Sequence, residues 1–150
     1  MKECYKNPEM TAKTVKDGWL HTGDLVWTDE EGYIYIADRK KDLIIRGEEN
    51  IFPVEIEDVL RRHPKVADVA VIGYPHERLV EIAMAIVQLH PGEKVEEKEL
   101  INFCAEQGLA KYKWPEKFTF KDVIRNATGK IDKPKLRELY IGKKGIAIGE

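Results

Sequence analysis

The pattern of apolar and polar positions predicts a series of short strands and helices along most of the chain. Some apolar runs alternate at the strand period or are rich in β-branched residues, whereas other segments place apolar residues at helical spacing between proline and glycine. The predicted strands are residues 33–37, 43–45, 66–73, 82–89 and 117–120, and the predicted helices are 53–63, 96–107 and 132–140.

This order predicts an α+β fold, in which helices pack on a small mixed sheet across roughly residues 42–141. Residues 1–32 hold few core-forming residues and many turn-forming pairs, with one or two helical turns predicted at 9–15. We expect this stretch to pack on the rest of the chain or on a partner, because it could not fold alone. Residues 48–50 are predicted to be a polar loop, and residues 74–78 are predicted to connect the two longest strands.

The segment Asp38–Asp42 joins two predicted strands and carries five charges. Its central Arg-Lys-Lys lacks the glycine or asparagine that a tight hairpin turn uses at positive φ. We interpret the segment as a connection that crosses between two bodies. The alternative is a solvated loop of alternating charge, which the spacing alone favours.

Composition and charge exclude several classes of function. The 150 residues include 25 Lys plus Arg and 27 Asp plus Glu, so the net charge of −2 gives no general attraction to nucleic acid. No serine is present, which excludes Ser-His-Asp hydrolysis, and Cys104 on an apolar helix face is a poor nucleophile. Neither the two cysteines nor the four histidines show ligand spacing, so no metal site is expected. The lack of a long apolar run or a signal-peptide pattern favours a cytoplasmic protein without a membrane span.

Three segments could carry chemistry. Residues 126–130, Asn-Ala-Thr-Gly-Lys, form a polar loop in which Lys130 could act as a point cation on phosphate oxygens, although the spacing is not that of a Walker loop. Residues 111–121 interleave lysines with aromatic residues, which could stack a base; we favour the alternative that the aromatic rings fill the core. Asp24 follows a Thr-Gly turn, where an aspartate most often caps local N–H groups.

In order along the chain, three segments closely resemble the last three signature blocks of the AMP-forming adenylating enzymes. These are Gly18–Leu25 (GWLHTGDL), Asp38–Asp42 (DRKKD) continuing to Glu55–Glu57, and Asn126–Ile131 (NATGKI). The superfamily includes acyl-CoA synthetases, firefly luciferase and peptide-synthetase adenylation domains. The likeness runs from about Tyr5 to Leu139 and is greatest to fatty or aryl acyl-CoA synthetases.

The resemblance implies a two-step ligase. The family activates a carboxylic acid with ATP to an acyl adenylate and pyrophosphate, then passes the acyl group to the thiol of CoA and releases AMP. By this resemblance, Asp24 accepts hydrogen bonds from the ribose hydroxyls, Arg39 also contacts the ribose, and Ile36 packs nearby. Lys130 matches the catalytic lysine that bridges the substrate carboxylate and the α-phosphate during adenylation.

The resemblance also implies a domain rotation between the two steps. Lys41 stands at the hinge position about which the C-terminal domain turns. Gly47, Glu48 and Glu49 are expected on the CoA-binding loop that approaches the pantetheine channel.

This chain departs from the family pattern at three places. Many relatives have a glycine where Glu48 stands, a proline where Ile124 stands, and a Gly-Glu pair where Val80-Glu81 stands. The first departure bears directly on the expected pantetheine contact.

The implied organisation is that of a C-terminal part. Residues 1–37 correspond to the end of a large N-terminal adenylation domain, 38–42 to the hinge, 43–141 to the mobile lid domain and 142–150 to a flexible tail. The implied substrates are ATP, CoA and a small carboxylic acid, with Mg²⁺ expected on ATP through the N-terminal domain. The chain alone is therefore expected to make no acyl adenylate.

Three alternatives remain at this point. The chain could be a free-standing, non-catalytic module that binds CoA or a nucleotide, or part of an adenylation domain that serves a carrier protein. A small nucleic-acid binder built on residues 111–121 is the third. The acyl substrate is not specified, because the residues that would shape its pocket belong to the N-terminal domain.

Overall fold

The computed structural model of the protein describes residues 1–142. The chain divides into two units, Met1–Lys41 and Asp42–Glu150, and the boundary lies inside the charged segment 38–42. Residues 143–150, which make up nearly all of the predicted tail, lie outside the described residues.

The first unit contains one helix and two antiparallel strand pairs, β1 with β2 and β3 with β4. Its elements are α1 (Pro8–Thr14), β1 (Val15–Lys16), β2 (Trp19–Leu20), β3 (Asp24–Thr28) and β4 (Ile34–Arg39). Asn7 begins the helix, since its side chain accepts a hydrogen bond from Met10 N at 2.9 Å. A bulge between Leu25 and Val26 shifts the register of β3 against β4.

Large apolar side chains of the first unit are exposed. Among the described residues, every buried hydrophobic residue lies at Ile44 or later. On β4, Ile34 and Ile36 are 69% and 73% exposed, and Trp19 on β2 is 77% exposed. The expectation that this stretch lacks a core of its own is confirmed.

The second unit is built on one five-stranded sheet. Its elements are β5 (Ile44–Arg46), β6 (Glu49–Ile51), α2 (Pro53–Arg61), β7 (Val66–His76), β8 (Val80–Leu89), α3 (Glu97–Glu106), β9 (Lys117–Phe120) and α4 (Lys133–Ile141). β8 pairs antiparallel with β7 along its length and with β5 at Val80, and parallel with β9 from Met84 to Val87. The predicted α+β fold with a mixed sheet is confirmed.

Both faces of the β7–β8 pair are buried, which explains why these strands are almost continuously apolar. On one face, Val69 and Val71 pack in a cluster with residues of α2 and α3, such as Leu60 and Leu100. On the other face, Ala70 and Ile72 pack with Leu136 of α4 and with neighbouring apolar residues. The helices therefore lie on opposite sides of the sheet.

Two predicted loops are partly strand. Residues 48–50 were expected to be irregular, but Glu49–Ile51 is β6 and pairs with β5. Gly47 takes φ +62°, so a connection of only Gly47 and Glu48 suffices to reverse the chain. Tyr74–His76 belongs to β7 rather than to the connection, because these residues continue the ladder with β8 up to the pair His76 and Val80.

The charged segment 38–42 is also more regular than predicted. Asp38 and Arg39 end β4, where Arg39 pairs with Asp24 and Asp38 with Leu25. Lys40–Asp42 forms one turn of 3₁₀-helix. The alternative of an irregular, solvated loop is contradicted, because strand pairing and a short helical turn satisfy these backbone groups.

Candidate functional site

The loop that precedes α4 is closed by one asparagine side chain. Asn126 Oδ1 accepts hydrogen bonds from Thr128 N at 3.0 Å, Thr128 Oγ1 at 2.7 Å and Lys130 N at 3.0 Å. The Asn126 N–H donates to the Lys130 carbonyl at 2.8 Å, so both backbone groups of Lys130 are held by the same residue. Gly129 takes φ +81°, which glycine adopts without steric cost. The predicted polar loop is therefore a rigid turn.

Lys130 stands at the end of this turn, and its side chain is exposed. Within residues 1–142, its Nζ has neither a hydrogen-bond partner nor a carboxylate partner. An ammonium group without a carboxylate partner can pair with an anion that arrives from solvent. The geometry leaves the predicted cation available.

A guanidinium group attaches the turn to the sheet. Arg125 Nη1 donates to the Gly129 carbonyl at 2.6 Å, while Nη2 and Nε both donate to Asp68 Oδ2 on β7. Asp68 Oδ1 accepts from Val69 N at 2.9 Å. Because the arginine fork bonds the turn and the strand together, it fixes the direction in which the turn projects.

A buried ion pair lies behind the same turn. Lys133, the first residue of α4, places Nζ 2.9 Å from Glu57 Oε1 on α2, and both side chains are at most 10% exposed. Glu57 Oε1 also accepts from Val71 N at 2.8 Å, and Glu57 Oε2 lies 3.5 Å from Arg61 Nη2. The carboxylate thus connects α2, β7 and the start of α4.

The predicted ribose-binding residues lie on β3 and β4 of the first unit. Asp24 and Arg39 are directly paired in register, and Arg39 Nε lies 3.3 Å from Asp24 Oδ1. The Asp24 N–H donates to Thr22 Oγ1 at 3.2 Å. Ile36 lies three residues before Arg39 on β4 and is mostly exposed. The structure thus places a carboxylate, a guanidinium group and an apolar side chain on one strand pair.

Lys41 lies between two anchored neighbours. The Lys40 N–H donates to the Gly23 carbonyl at 2.8 Å within the first unit. In the second unit, Asp42 is buried, and its Oδ1 lies 2.9 Å from Arg137 Nη2 in a close ion pair that is not aligned as a hydrogen bond. Lys41 itself is exposed and is the last residue of the first unit.

The 47–49 hairpin is tied to the start of β8. The Gly47 N–H donates to the Leu79 carbonyl at 2.8 Å, and the Ile45 N–H donates to Glu81 Oε2 at 3.0 Å. A Cβ at Gly47 would lie 3.7 Å from Leu79 Cδ2, an ordinary contact, so its φ of +62° rather than crowding favours glycine. Val80 takes φ +66°, a backbone conformation that β-branched residues rarely adopt.

Cys104 and the Lys65–Glu99 pair lie outside these sites, and their pKa values are shifted by burial and by a hydrogen bond. Burial raises the pKa of the Cys104 thiol from 9.0 to about 11, which agrees with the expectation of a poor nucleophile. The hydrogen bond from Lys65 lowers the pKa of Glu99, and the same bond raises the pKa of Lys65. No group of three potential metal ligands stands together in the described part of the chain.

The aromatic and basic residues at 111–121 are engaged in the fold. Lys113 Nζ lies 2.7 Å from Glu55 Oε2, and the Trp114 indole N–H donates to the Leu109 carbonyl at 2.7 Å. Lys117 Nζ lies 3.7 Å from the centre of the Tyr74 ring. These contacts support the packing interpretation of this segment.

No helix among residues 1–142 has the length and apolar character that a membrane span requires.

Comparison with known proteins decides the family. The family model described as AMP-binding enzyme C-terminal domain matches residues 55–130, slightly more than half of the chain. This protein belongs to that family. The resemblance found in the sequence motifs is confirmed, and the match begins at Glu55 of α2 and ends at Lys130 itself.

Other members with this C-terminal domain are ligases. The long-chain-fatty-acid–CoA ligase FadD13 of Mycobacterium tuberculosis is 48% identical over 141 residues, which cover 93% of this chain and 28% of that protein. The fatty acid–[acyl-carrier-protein] ligase ScoC of Streptomyces coeruleorubidus is 43% identical over 143 residues, which cover 95% of this chain and 27% of that protein.

A solved structure of another member has the same fold. It is the o-succinylbenzoate CoA synthetase (MenE) from Bacillus subtilis in complex with the acyl-adenylate intermediate OSB-AMP, with a TM-score of 0.84 and 40% identity over 91% of this chain and 28% of that chain. The chain therefore spans little more than a quarter of the length of the relatives that it matches.

Of the residues predicted for the site, the structure brings Asp24 and Arg39 into contact and leaves Lys130 on a turn of its own in the second unit. Sequence reasoning missed the anchoring pairs, Asp68 with Arg125 and Glu57 with Lys133. Arg125 and Asp68 are separated by 57 positions, so only the tertiary fold reveals their contact.

Proposed function

We propose that this chain is the C-terminal part of an ATP-dependent acyl-CoA synthetase, which converts a carboxylic acid, ATP and CoA to acyl-CoA, AMP and pyrophosphate. The single observation that carries the proposal is the exposed Lys130 at the end of a rigid turn inside the family match, because its ammonium group has no partner among residues 1–142. In this proposal residues 1–37 complete an N-terminal adenylation domain, 38–42 are the hinge, and 43–141 form the lid.

In the first step, a carboxylate oxygen attacks the α-phosphorus of ATP and pyrophosphate leaves. Negative charge increases on the α-phosphate oxygens in the transition state, so a positioned cation accelerates the step. Lys130 supplies this cation, because its ammonium group is not neutralised within the described residues.

The strand pair of the first unit holds the nucleoside. Carboxylate oxygens accept hydrogen bonds from two hydroxyl groups, which suits Asp24 to the ribose. Arg39, 3.3 Å from that carboxylate, keeps Asp24 oriented and can add a donor of its own, while Ile36 on the same strand offers an exposed apolar side chain.

In the second step, the CoA sulfur attacks the acyl carbonyl and AMP leaves, after the lid has turned about Lys41. Support for this pivot comes from its position between Lys40 and Asp42, each anchored within a different unit. The Gly47 N–H is already bonded to Leu79, so Gly47 would serve the pantetheine channel through its missing side chain. Glu48 and Glu49 would line the mouth of that channel.

The exposed apolar residues of β2 and β4 support an N-terminal domain as the partner of the first unit. No group of three potential metal ligands lies among the described residues, so in this proposal Mg²⁺ arrives on ATP and is held by the N-terminal domain. The free state of Cys4 and Cys104 supports a cytoplasmic location. The named relatives favour a fatty or aryl acid as substrate.

The test uses the complete synthetase that contains this chain and measures the two half-reactions separately. Lys130→Ala should slow pyrophosphate release by roughly a hundredfold or more, the size expected for loss of one charge-stabilising group. Thioester formation from supplied acyl adenylate should persist. Lys41→Pro should mainly slow the thioester step, since proline restricts the dihedrals of the hinge. If Lys130→Ala releases pyrophosphate at the wild-type rate, the assigned function is wrong.

The acceptor thiol is tested in the same preparation. ScoC is a ligase of fatty acids to acyl-carrier protein, so holo carrier protein is compared with CoA as the acceptor of a supplied adenylate. Faster transfer to the carrier protein would replace CoA in the proposal. The 150-residue chain alone should release no pyrophosphate, and any release would favour an autonomous enzyme.

A further inference from the structure

We propose that Arg125 and Asp68 are positioning residues for Lys130, and that they act on adenylation alone. The inference rests on the proposed function, because it assigns to the Arg125–Asp68 pair the task of aiming the adenylation cation. Neither residue was a candidate from the sequence.

Hydrogen bonds within the turn at 126–130 fix its shape but not its orientation on the sheet. The bonds between Asn126 and Lys130 fix the shape of the turn, and all of them join residues within it. A turn of fixed shape could still tilt as a unit on the sheet. Lys133 and Glu57 hold the chain three residues after Lys130, so a second contact on the residue before Lys130 is needed to fix its direction.

Arg125 provides that contact at both ends. Its Nη1 donates to the carbonyl of Gly129, the residue directly before Lys130, at 2.6 Å. Its Nη2 and Nε donate to Asp68 Oδ2, so the planar guanidinium group bridges the turn and β7. A shift of the guanidinium group would therefore move the backbone next to Lys130.

Asp68 is itself held in place. Its Oδ1 accepts from Val69 N at 2.9 Å and lies 3.6 Å from Arg61 Nε on α2, and its side chain is only 15% exposed. The bridge thus ends on a carboxylate fixed between a strand and a helix. Because its backbone is already fixed, Lys130 would lose only side-chain conformational entropy when it binds a phosphate.

The expected effect is kinetic and specific to one step. Displacement of a catalytic group by about 1 Å can cost on the order of a hundredfold in rate. Arg125→Gln, which keeps a polar side chain but removes the fork, should therefore slow adenylation by roughly tenfold to a hundredfold. Thioester formation from supplied adenylate should stay at the wild-type rate, because it does not use Lys130.

The experiment compares four variants of the complete synthetase: Arg125→Gln, Asp68→Asn, Lys130→Ala and the double variant Arg125→Gln/Lys130→Ala. Lys65→Gln is the matched control, since it also removes one cation from an ion pair of the second unit, 2.8 Å from Glu99. Melting temperatures and both half-reaction rates are measured for each.

The double variant gives the decisive result. If Arg125 acts through Lys130, the double variant should adenylate as slowly as Lys130→Ala, within about twofold, because the two changes affect one interaction. Asp68→Asn should reproduce the Arg125→Gln defect, and Lys65→Gln should leave both half-reactions unchanged.

Three results would overturn the inference. The first is adenylation at the wild-type rate by Arg125→Gln and Asp68→Asn, and the second is an equal loss of rate in both half-reactions. The third is a double variant that adenylates more slowly than Lys130→Ala by the same factor that Arg125→Gln costs in the wild-type protein. If Arg125→Gln does not fold, Asp68→Asn alone decides by the same criteria. Failure of the proposed function is distinguishable, because it would be seen as normal adenylation by Lys130→Ala.

Discussion

Replacement of Lys133 by methionine tests whether the buried ion pair behind the Lys130 turn stabilises the second unit. Methionine keeps most of the volume of the lysine stem but removes the ammonium group 2.9 Å from Glu57 Oε1. Among residues 1–142, the Glu57 carboxylate, 4% exposed, would then keep only Val71 N at 2.8 Å and Arg61 at 3.5 Å as partners.

The magnitude follows from these contacts. Loss of one partner of a buried pair costs about 3–5 kcal/mol, and the remaining partners of Glu57 place this case near the lower end. A cation at the first position of a helix opposes the helix dipole by about 0.5 kcal/mol, so its removal offsets part of the loss. We expect a net loss of about 2.5 kcal/mol in the free energy of unfolding.

Urea denaturation followed by circular dichroism measures this loss. With a slope of about 2 kcal/mol per molar urea, the midpoint should fall by about 1.2 M. Lys65→Met is the control, because its pair with Glu99 is much more exposed, and it should shift the midpoint far less. Equal shifts in the two variants, or no shift for Lys133→Met, would refute the assignment of stability to the buried pair.

Two further predictions concern strain and reactivity. Val80 has φ +66°, so the Val80→Gly variant should be more stable than Val80→Ala, because alanine lacks the two valine methyl groups but keeps a Cβ in the left-handed region. After the greater chain entropy of glycine is subtracted, the free energies of unfolding in urea should differ by about 0.5–1 kcal/mol. An alanine variant as stable as the glycine variant would contradict the backbone strain. The pKa of Cys104 is raised from 9.0 to about 11, so its thiol stays protonated in the folded protein and the stability that it contributes is lost as pH rises from about 9 to 11. Iodoacetamide at pH 8 should therefore modify Cys4 and spare Cys104 until urea unfolds the chain, and equal labelling by mass spectrometry would show that Cys104 is accessible.

The strands and helices of the second unit were largely predictable because one local signal was enough for each. The β-branched runs of β7 and β8, with Pro53 at the start of α2, led to the correct elements. The errors occurred where a long-range partner decides the conformation. Residues 49–51 are polar on average and form β6 only because β5 offers them a ladder.

The turn that carries Lys130 was predictable to the same extent. Motifs identified Lys130 and its turn, since glycine and asparagine at that spacing form a turn by local bonds. The Arg125–Asp68 contact that anchors the turn could not be predicted, because nothing in the sequence distinguishes Asp68 from other acidic residues before β7 places it beside Arg125. Likewise, the positive φ of Val80 contradicts the preference of valine and is visible only in the backbone.

The ion pair between Asp42 and Arg137 has a mechanical consequence. Asp42 is the first residue beyond Lys41, and Arg137 lies on α4, whose first residue comes three positions after Lys130. Four residues of helix, a rise of about 6 Å, separate Arg137 from Lys133. If the lid turns about Lys41 as proposed, the motion of Asp42 would pass through Arg137 and one helical turn to Lys133, three residues from Lys130.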